Sequence, residues 1–159
     1  QEDPDCITVF IGPCLAKRRE GFDDEFVDYV ISAEELSAFF DAQDIVPAKQ
    51  EKIEIGNKAS SSSRNFARTD GVAEAVKLRL SNPEKLKFDV INGLDKNGMK
   101  KLKMYGDINA GRIEAPETAG NLVEVMSCEG GCVAGPCVIT KVNVAKIQLD
   151  KYVKDSNVE

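Results

Sequence analysis

Residues 121–137, NLVEVMSCEGGCVAGPC, run from a short apolar stretch into a loop that holds three of the chain's five cysteines and three of its twelve glycines. Leu122, Val123, Val125 and Met126 have the composition of a buried strand in a parallel sheet. The glycines that follow cannot continue such a strand, so the strand empties into a cysteine loop. The chain contains no histidine, which leaves thiolates as its natural soft metal donors.

Outward from this strand, apolar runs alternate with helical periodicity. Residues 6–12, CITVFIG, read as a buried strand closed by Gly12-Pro13, and that strand delivers Cys14 at its C-terminal end. Residues 26–32, FVDYVIS, read as a second strand. Ser32, with Glu35 three residues later, has capping-box spacing and starts a helix whose Leu36, Phe39 and Phe40 form an i, i+3, i+4 stripe. Residues 46–69 lose this order, and their four consecutive serines predict a long polar loop. Helical periodicity resumes over 68–80 through Val72, Val76 and Leu80, and Asn82-Pro83 stops it. Residues 85–92 predict a strand, residues 98–107 a helix, and residues 141–155 a closing amphipathic helix on Val142, Ala145, Leu149, Tyr152 and Val153.

Strands alternating with helices predict an α/β fold, a mostly parallel sheet with helices on both faces. Ligands in such folds bind beyond the C-terminal strand ends. Cys14 and the loop from Cys128 to Cys137 both follow such an end, so the pattern allows them to meet at one edge.

At 159 residues the chain is long enough for one compact unit with a sizeable core. It is 42% hydrophobic and 30% charged with net charge -6, which describes a soluble globular protein. Lys17, Arg18 and Arg19 make the one short basic run, and the acidic whole repels a phosphate backbone; nucleic acid is not an expected partner. Nothing approaches the ~18 apolar residues of a membrane span, and the start, QEDPD, lacks a signal peptide's basic and apolar regions. The expected location is cytoplasmic. In a reducing compartment five cysteines point to metal or to idle thiols rather than to a disulfide framework.

Iron–sulfur clusters take one thiolate per iron from loops free of bulky side chains. Gly130 and Gly131 give the segment between Cys128 and Cys132 that freedom. Zinc is the alternative, since Cys14, Cys128, Cys132 and Cys137 would make four ligands. Unligated buried thiols are the third reading, and Cys6, inside its strand, is read as a core thiol.

Three motifs carry a resemblance to a known family. EVMSCEGGC at 124–132 resembles the Glu-Val-Met-Ala-Cys-Pro-Gly-Gly-Cys motif of the iron-only (di-iron) hydrogenases and their sensory relatives. PCLAKR at 13–18 is similar to that family's Pro-Cys-Thr-Ala-Lys-Lys, and TDGVAEA at 69–75 to its Thr-Gly-Gly-Val-Met-Glu-Ala. The motifs stand in the family's order. The resemblance implies that Cys14, Cys128 and Cys132 ligate a 4Fe-4S cubane, with Cys132 bridging to an attached di-iron subcluster. It also implies that Lys17 hydrogen-bonds a cyanide of the di-iron unit and that Met126 packs beside it.

The same resemblance makes residues 1–159 the C-terminal lobe of a hydrogenase-like domain. Its partners would be the N-terminal lobe of the same protein, which brings the fourth cubane cysteine in a Thr-Ser-Cys-x-Pro-x-Trp motif, and electron-transfer or signalling domains. The implied activity is reversible reduction of protons to dihydrogen, or hydrogen or redox sensing. The chain by itself is expected to be apo and inactive. Gly12 stands where many members have methionine, and VAGPCVITK at 133–141 replaces a Gly-Gly-Gly-Gln-Pro segment, changes that point to a sensory or divergent branch. Cys137 has no counterpart in the pattern. A non-catalytic iron–sulfur scaffold or assembly protein and a zinc-stabilised interaction module are the alternatives from other classes.

Overall fold

The computed structural model describes residues 5–53 and 59–156. The chain packs as two compact units where its length predicts one: residues 1–56 with 135–144, and residues 57–134 with 145–159. Each is built on one β-α-β crossover, the connection that parallel strands require.

In the first unit β1 (Val9–Ile11) and β2 (Tyr29–Ile31) pair in parallel, Val9 opposite Tyr29 and Ile11 opposite Ile31, with α1 (Ala16–Phe22) as the crossover. The capping box predicted at Ser32 opens α2 (Ala33–Ala42). Ser32 Oγ accepts the Glu35 N–H at 3.1 Å, and Glu35 Oε2 accepts the Ser32 N–H at 2.7 Å. The Ser32 N–H first, then the Arg18 guanidinium 2.5 Å away, hold the exposed Glu35 carboxyl below its ordinary value.

Two expectations fail in this unit. All three residues of β1 are exposed, and Cys6 lies before the strand as an exposed thiol, not in a core. Phe39 is exposed as well, so the stripe on α2 is only partly covered. The physical reason is shared: a two-stranded sheet has too little area to cover an apolar run on both faces.

The second unit holds β3 (Phe88–Asn92) and β4 (Leu122–Met126), parallel and in register from Phe88–Leu122 to Asn92–Met126. Between them runs α5 (Lys96–Asn109), two residues longer at each end than the periodicity predicts; at its start Asp95 accepts the N–H groups of Asn97 and Gly98 and begins the helix early. The fold class is therefore α/β with parallel strands, and the strands form two two-stranded sheets instead of one.

Outside the two sheets the chain adds helices and single helical turns. α3 (Ser61–Arg64) lies within the segment predicted to be a loop, and single 3₁₀ turns at Pro47–Lys49 and Asn65–Ala67 shorten that loop further. The serine run is ordered by its own hydroxyls: Ser60 Oγ accepts the Ser63 N–H at 3.2 Å, an N-cap that composition alone reads as a polar tract. Part of the predicted loop, residues 54–58, lies outside the described residues. α4 (Gly71–Lys77) follows, and α6 (Val142–Lys154) closes the chain.

Among the described residues the buried apolar side chains are Ala73, Ala75, Ile91 and Ala145, a smaller core than the length predicts. On α4 the small residues are buried and Val72 and Val76 are about a third exposed, so the inward face is not the one the valine spacing predicts. Alanines let the helix axis come close to β4, where branched side chains would hold it away. Among the described residues no helix is long and apolar enough to cross a membrane.

Candidate functional site

β3 and β4 end side by side at Asn92 and Met126. Their pairing continues past the sheet, where the Gly93 N–H donates to the Met126 carbonyl at 2.8 Å and the Leu94 N–H to that of Ser127 at 3.3 Å. The cysteine loop therefore starts from a fixed base at the C-terminal sheet edge, where α/β folds place ligands.

Cys128 is half-buried and Cys132 exposed. Between them the Gly131 N–H donates to the Cys128 carbonyl at 3.1 Å, and Gly130 and Gly131 take φ values of 93° and 90°. Residues with a Cβ seldom adopt this conformation. A Cβ on Gly131 would also stand 2.7 Å from main-chain atoms of Arg68 and Thr69 and 2.8 Å from the Ala67 carbonyl oxygen. Glycine is thus required twice, by backbone angle and by close approach.

Two polar side chains fasten this loop and the Thr69–Asp70 corner to the sheet. Asn92 Oδ1 accepts the Thr69 hydroxyl at 2.8 Å and the Gly130 N–H at 2.7 Å. Glu124, on β4 and 8% exposed, accepts the N–H groups of Asp70 and Ala73, each at 2.8 Å. Two of the three motifs that suggest a family, TDGVAEA and EVMSCEGGC, are thereby in direct contact. Asn92 is a residue that motif and periodicity do not single out. Its signal is an amide closing an otherwise apolar strand immediately before Gly93.

Against this corner lies a cavity of about 260 Å³, lined by Thr69, Asn92 and Gly130 on one side and by Lys146 and Asp150 of α6 on the other. The Arg68 guanidinium meets Asp150 at 3.1 Å and fastens α6 at that mouth. Met126, at the end of β4, is half-buried.

The remaining candidates lie in the first unit. Cys14, half-buried, follows β1 by three residues. Lys17 is on α1, its ammonium 2.5 Å from Glu20 Oε2. Cys137 lies in the same unit as Cys14 and is tied to the residue before it, the Cys137 N–H donating to the Pro13 carbonyl at 3.2 Å. Each unit thus carries two of the four loop thiols, and within neither do three metal-ligating side chains gather among the described residues. Soft thiolates on short glycine- or proline-flanked loops fit iron in a sulfide cluster and do not fit a hard cation.

A half-buried carboxyl network lies away from this edge. Burial pushes the Asp89 carboxyl up, yet the Lys101 ammonium at 2.5 Å, the Tyr105 hydroxyl at 2.6 Å and the Val90 N–H outweigh it and hold the group below its ordinary 3.8. Burial first, then Asp89, push the Tyr105 hydroxyl above 10.0, and that oxygen accepts the Gly120 N–H at 2.9 Å. This network closes the N-terminal half of the sheet and has no cysteine near it in sequence, so its work is structural.

No curated protein matches the sequence. The family model of the iron-only hydrogenase large subunit, C-terminal domain, matches residues 1–136, a span that takes in Cys14, the Thr69 corner and the whole Cys128–Cys132 loop; the chain belongs to that family.

Proposed function

We propose that this chain supplies three thiolates, from Cys14, Cys128 and Cys132, to a 4Fe-4S cubane with an attached di-iron subcluster, in a protein that reversibly reduces protons to dihydrogen or senses hydrogen or redox state. The observation that carries the reading is the Cys128–Cys132 loop, whose two left-handed glycines and Asn92 anchor fix its backbone before any metal arrives. Pre-set ligands lower the ordering cost of binding. When bound, the cluster supplies the electrons and the site of hydrogen chemistry.

The chain's own residues hold and shield it. Gly130 and Gly131 put no side chain of their own between Cys128 and Cys132, Met126 offers an apolar surface at the strand end, and Cys132 would be the thiolate shared between the cubane and the di-iron unit. Lys17, now paired with Glu20, is the ammonium assigned to a cyanide ligand. The exposed apolar residues of β1, Val9, Phe10 and Ile11, support an N-terminal lobe as partner.

Iron and acid-labile sulfide, measured after anaerobic reconstitution of the complete protein, test the ligand set. Cys128→Ser and Cys132→Ser lose most of the iron, whereas Cys137→Ser stays near wild type. Equal loss in all three overturns the assignment. Cyanide and carbonyl infrared bands separate a di-iron centre from a bare cubane scaffold.

A further inference from the structure

We propose that Cys14 and Cys137 are a reversible dithiol–disulfide pair, a redox modification site in the first unit. The consequence, that oxidation withdraws Cys14 from metal binding, rests on the ligand role proposed above; the pair itself does not.

Cys137 lies one residue beyond the span that matches the family, in a segment where nothing yet gives it a purpose. It is nevertheless held. The turn of residues 135–138 is closed by the Val138 N–H donating to the Gly135 carbonyl at 3.1 Å, with Pro136 at its first central position, and the next N–H, that of Cys137, donates to Pro13 at 3.2 Å. With standard bond lengths and an N–H aimed at its acceptor, that single bond keeps the α-carbons of Cys14 and Cys137 within roughly 7 Å. Disulfides span about 4.4–6.8 Å between α-carbons, so the hydrogen bond holds the pair within reach of a disulfide. Both thiols are free and half-buried, open to a small reagent and screened from a large one. Pro13 and Pro136 stiffen the two segments that present them.

The step is an exchange with a small-molecule disulfide of the oxidised-glutathione class. One cysteine, as its thiolate, attacks a sulfur of the reagent, breaking that S–S bond and releasing one small thiol. The second cysteine, having lost its proton, attacks the mixed disulfide, forms the Cys14–Cys137 bond and releases the second small thiol. Two protein thiols are oxidised and one disulfide is reduced to two thiols. A dithiol reductant reverses the sequence.

The test uses the full 159-residue chain, reduced, treated anaerobically with oxidised glutathione, alkylated and mapped by mass spectrometry under non-reducing conditions. The expected result is one linked peptide pair, 14 with 137, with loss of two of five alkylatable thiols and full return after dithiothreitol. Cys137→Ser and, independently, Cys14→Ala abolish the link, while Cys128→Ser leaves it intact. A link between Cys128 and Cys132, or glutathione adducts on Cys14 and Cys137 without a link between them, overturns the pair. Iron uptake on anaerobic reconstitution of the complete protein is then compared between its linked and reduced forms. Uptake at least several-fold lower supports the consequence, whereas equal uptake with the link intact overturns Cys14 as a ligand and leaves the pair standing.

Discussion

The Glu124 carboxylate on β4 accepts the main-chain N–H of Asp70 at 2.8 Å, where Asp70 sits at a left-handed φ of 72° at the head of α4. Asp70 provides no side-chain cap of its own, so a residue 54 positions away performs the capping, and it takes the Ala73 N–H as well. Removing it leaves two shielded donors without an acceptor. Glu124→Ala should cost about 2–4 kcal/mol and Glu124→Gln, which keeps one acceptor oxygen, about 1–2 kcal/mol. Thermal unfolding followed by circular dichroism reads both, and a melting point for Glu124→Ala equal to wild type would refute the capping role.

Glycine substitutions should divide by position. Gly131→Ala meets main-chain atoms at 2.7 Å and a φ of 90°, so it should destabilise by about 2–4 kcal/mol and reduce reconstituted iron. Gly106, inside α5, has open space for 4 Å around the position an alanine methyl would take, and the sign should be opposite: Gly106→Ala gains about 0.5–1 kcal/mol. Urea midpoints for the two variants on either side of wild type are the expected outcome.

Asn92 acts on the cysteine loop as a positioning residue. Asn92→Ala removes the acceptor shared by Thr69 and Gly130, and Asn92→Asp keeps an oxygen in the same place. Iron per chain after reconstitution should fall at least twofold in the alanine variant and recover in the aspartate variant, with the circular dichroism spectrum unchanged in both. Equal iron in the alanine variant and wild type would remove the anchor from the account of the site.

The Asp89 network predicts an acid limb. Its carboxyl is held below the ordinary 3.8, so its contribution is complete above about pH 4 and is lost as pH falls through the lower folded value. Lys101 is 38% exposed, and solvent screening limits the contribution to about 1 kcal/mol. The stability difference between wild type and Asp89→Asn should therefore be constant above about pH 5 and shrink below pH 4. A difference that grows on acidification would reverse the sign and rule the network out.

Local chemistry was legible in the sequence. The capping box at Ser32 depends on two side chains three residues apart, and the strand at 122–126 on four apolar residues around Glu124, so both elements form where they are read, although it is Glu124 that is buried and Val125 that is exposed. The family was legible too, because ligand loops must keep their cysteines and glycines in fixed spacing whatever surrounds them. The serine run reads as a loop but forms a helical turn, because its cap depends on which hydroxyl meets which N–H, a matter of geometry and not of composition.

Tertiary structure alone decided the rest. Which face of α4 is buried depends on how closely the helix approaches β4, and small residues win there over the valines that periodicity favours. Asn92 and Glu124 gained their roles from partners 23, 38, 51 and 54 residues away. Cys137 acquired a neighbour in Cys14 only because a single main-chain hydrogen bond brings residues 13 and 137 together. A hydrogen bond acts over about 3 Å, and a chain's order does not encode which distant groups will come that close until the strands have paired and the helices have packed on them.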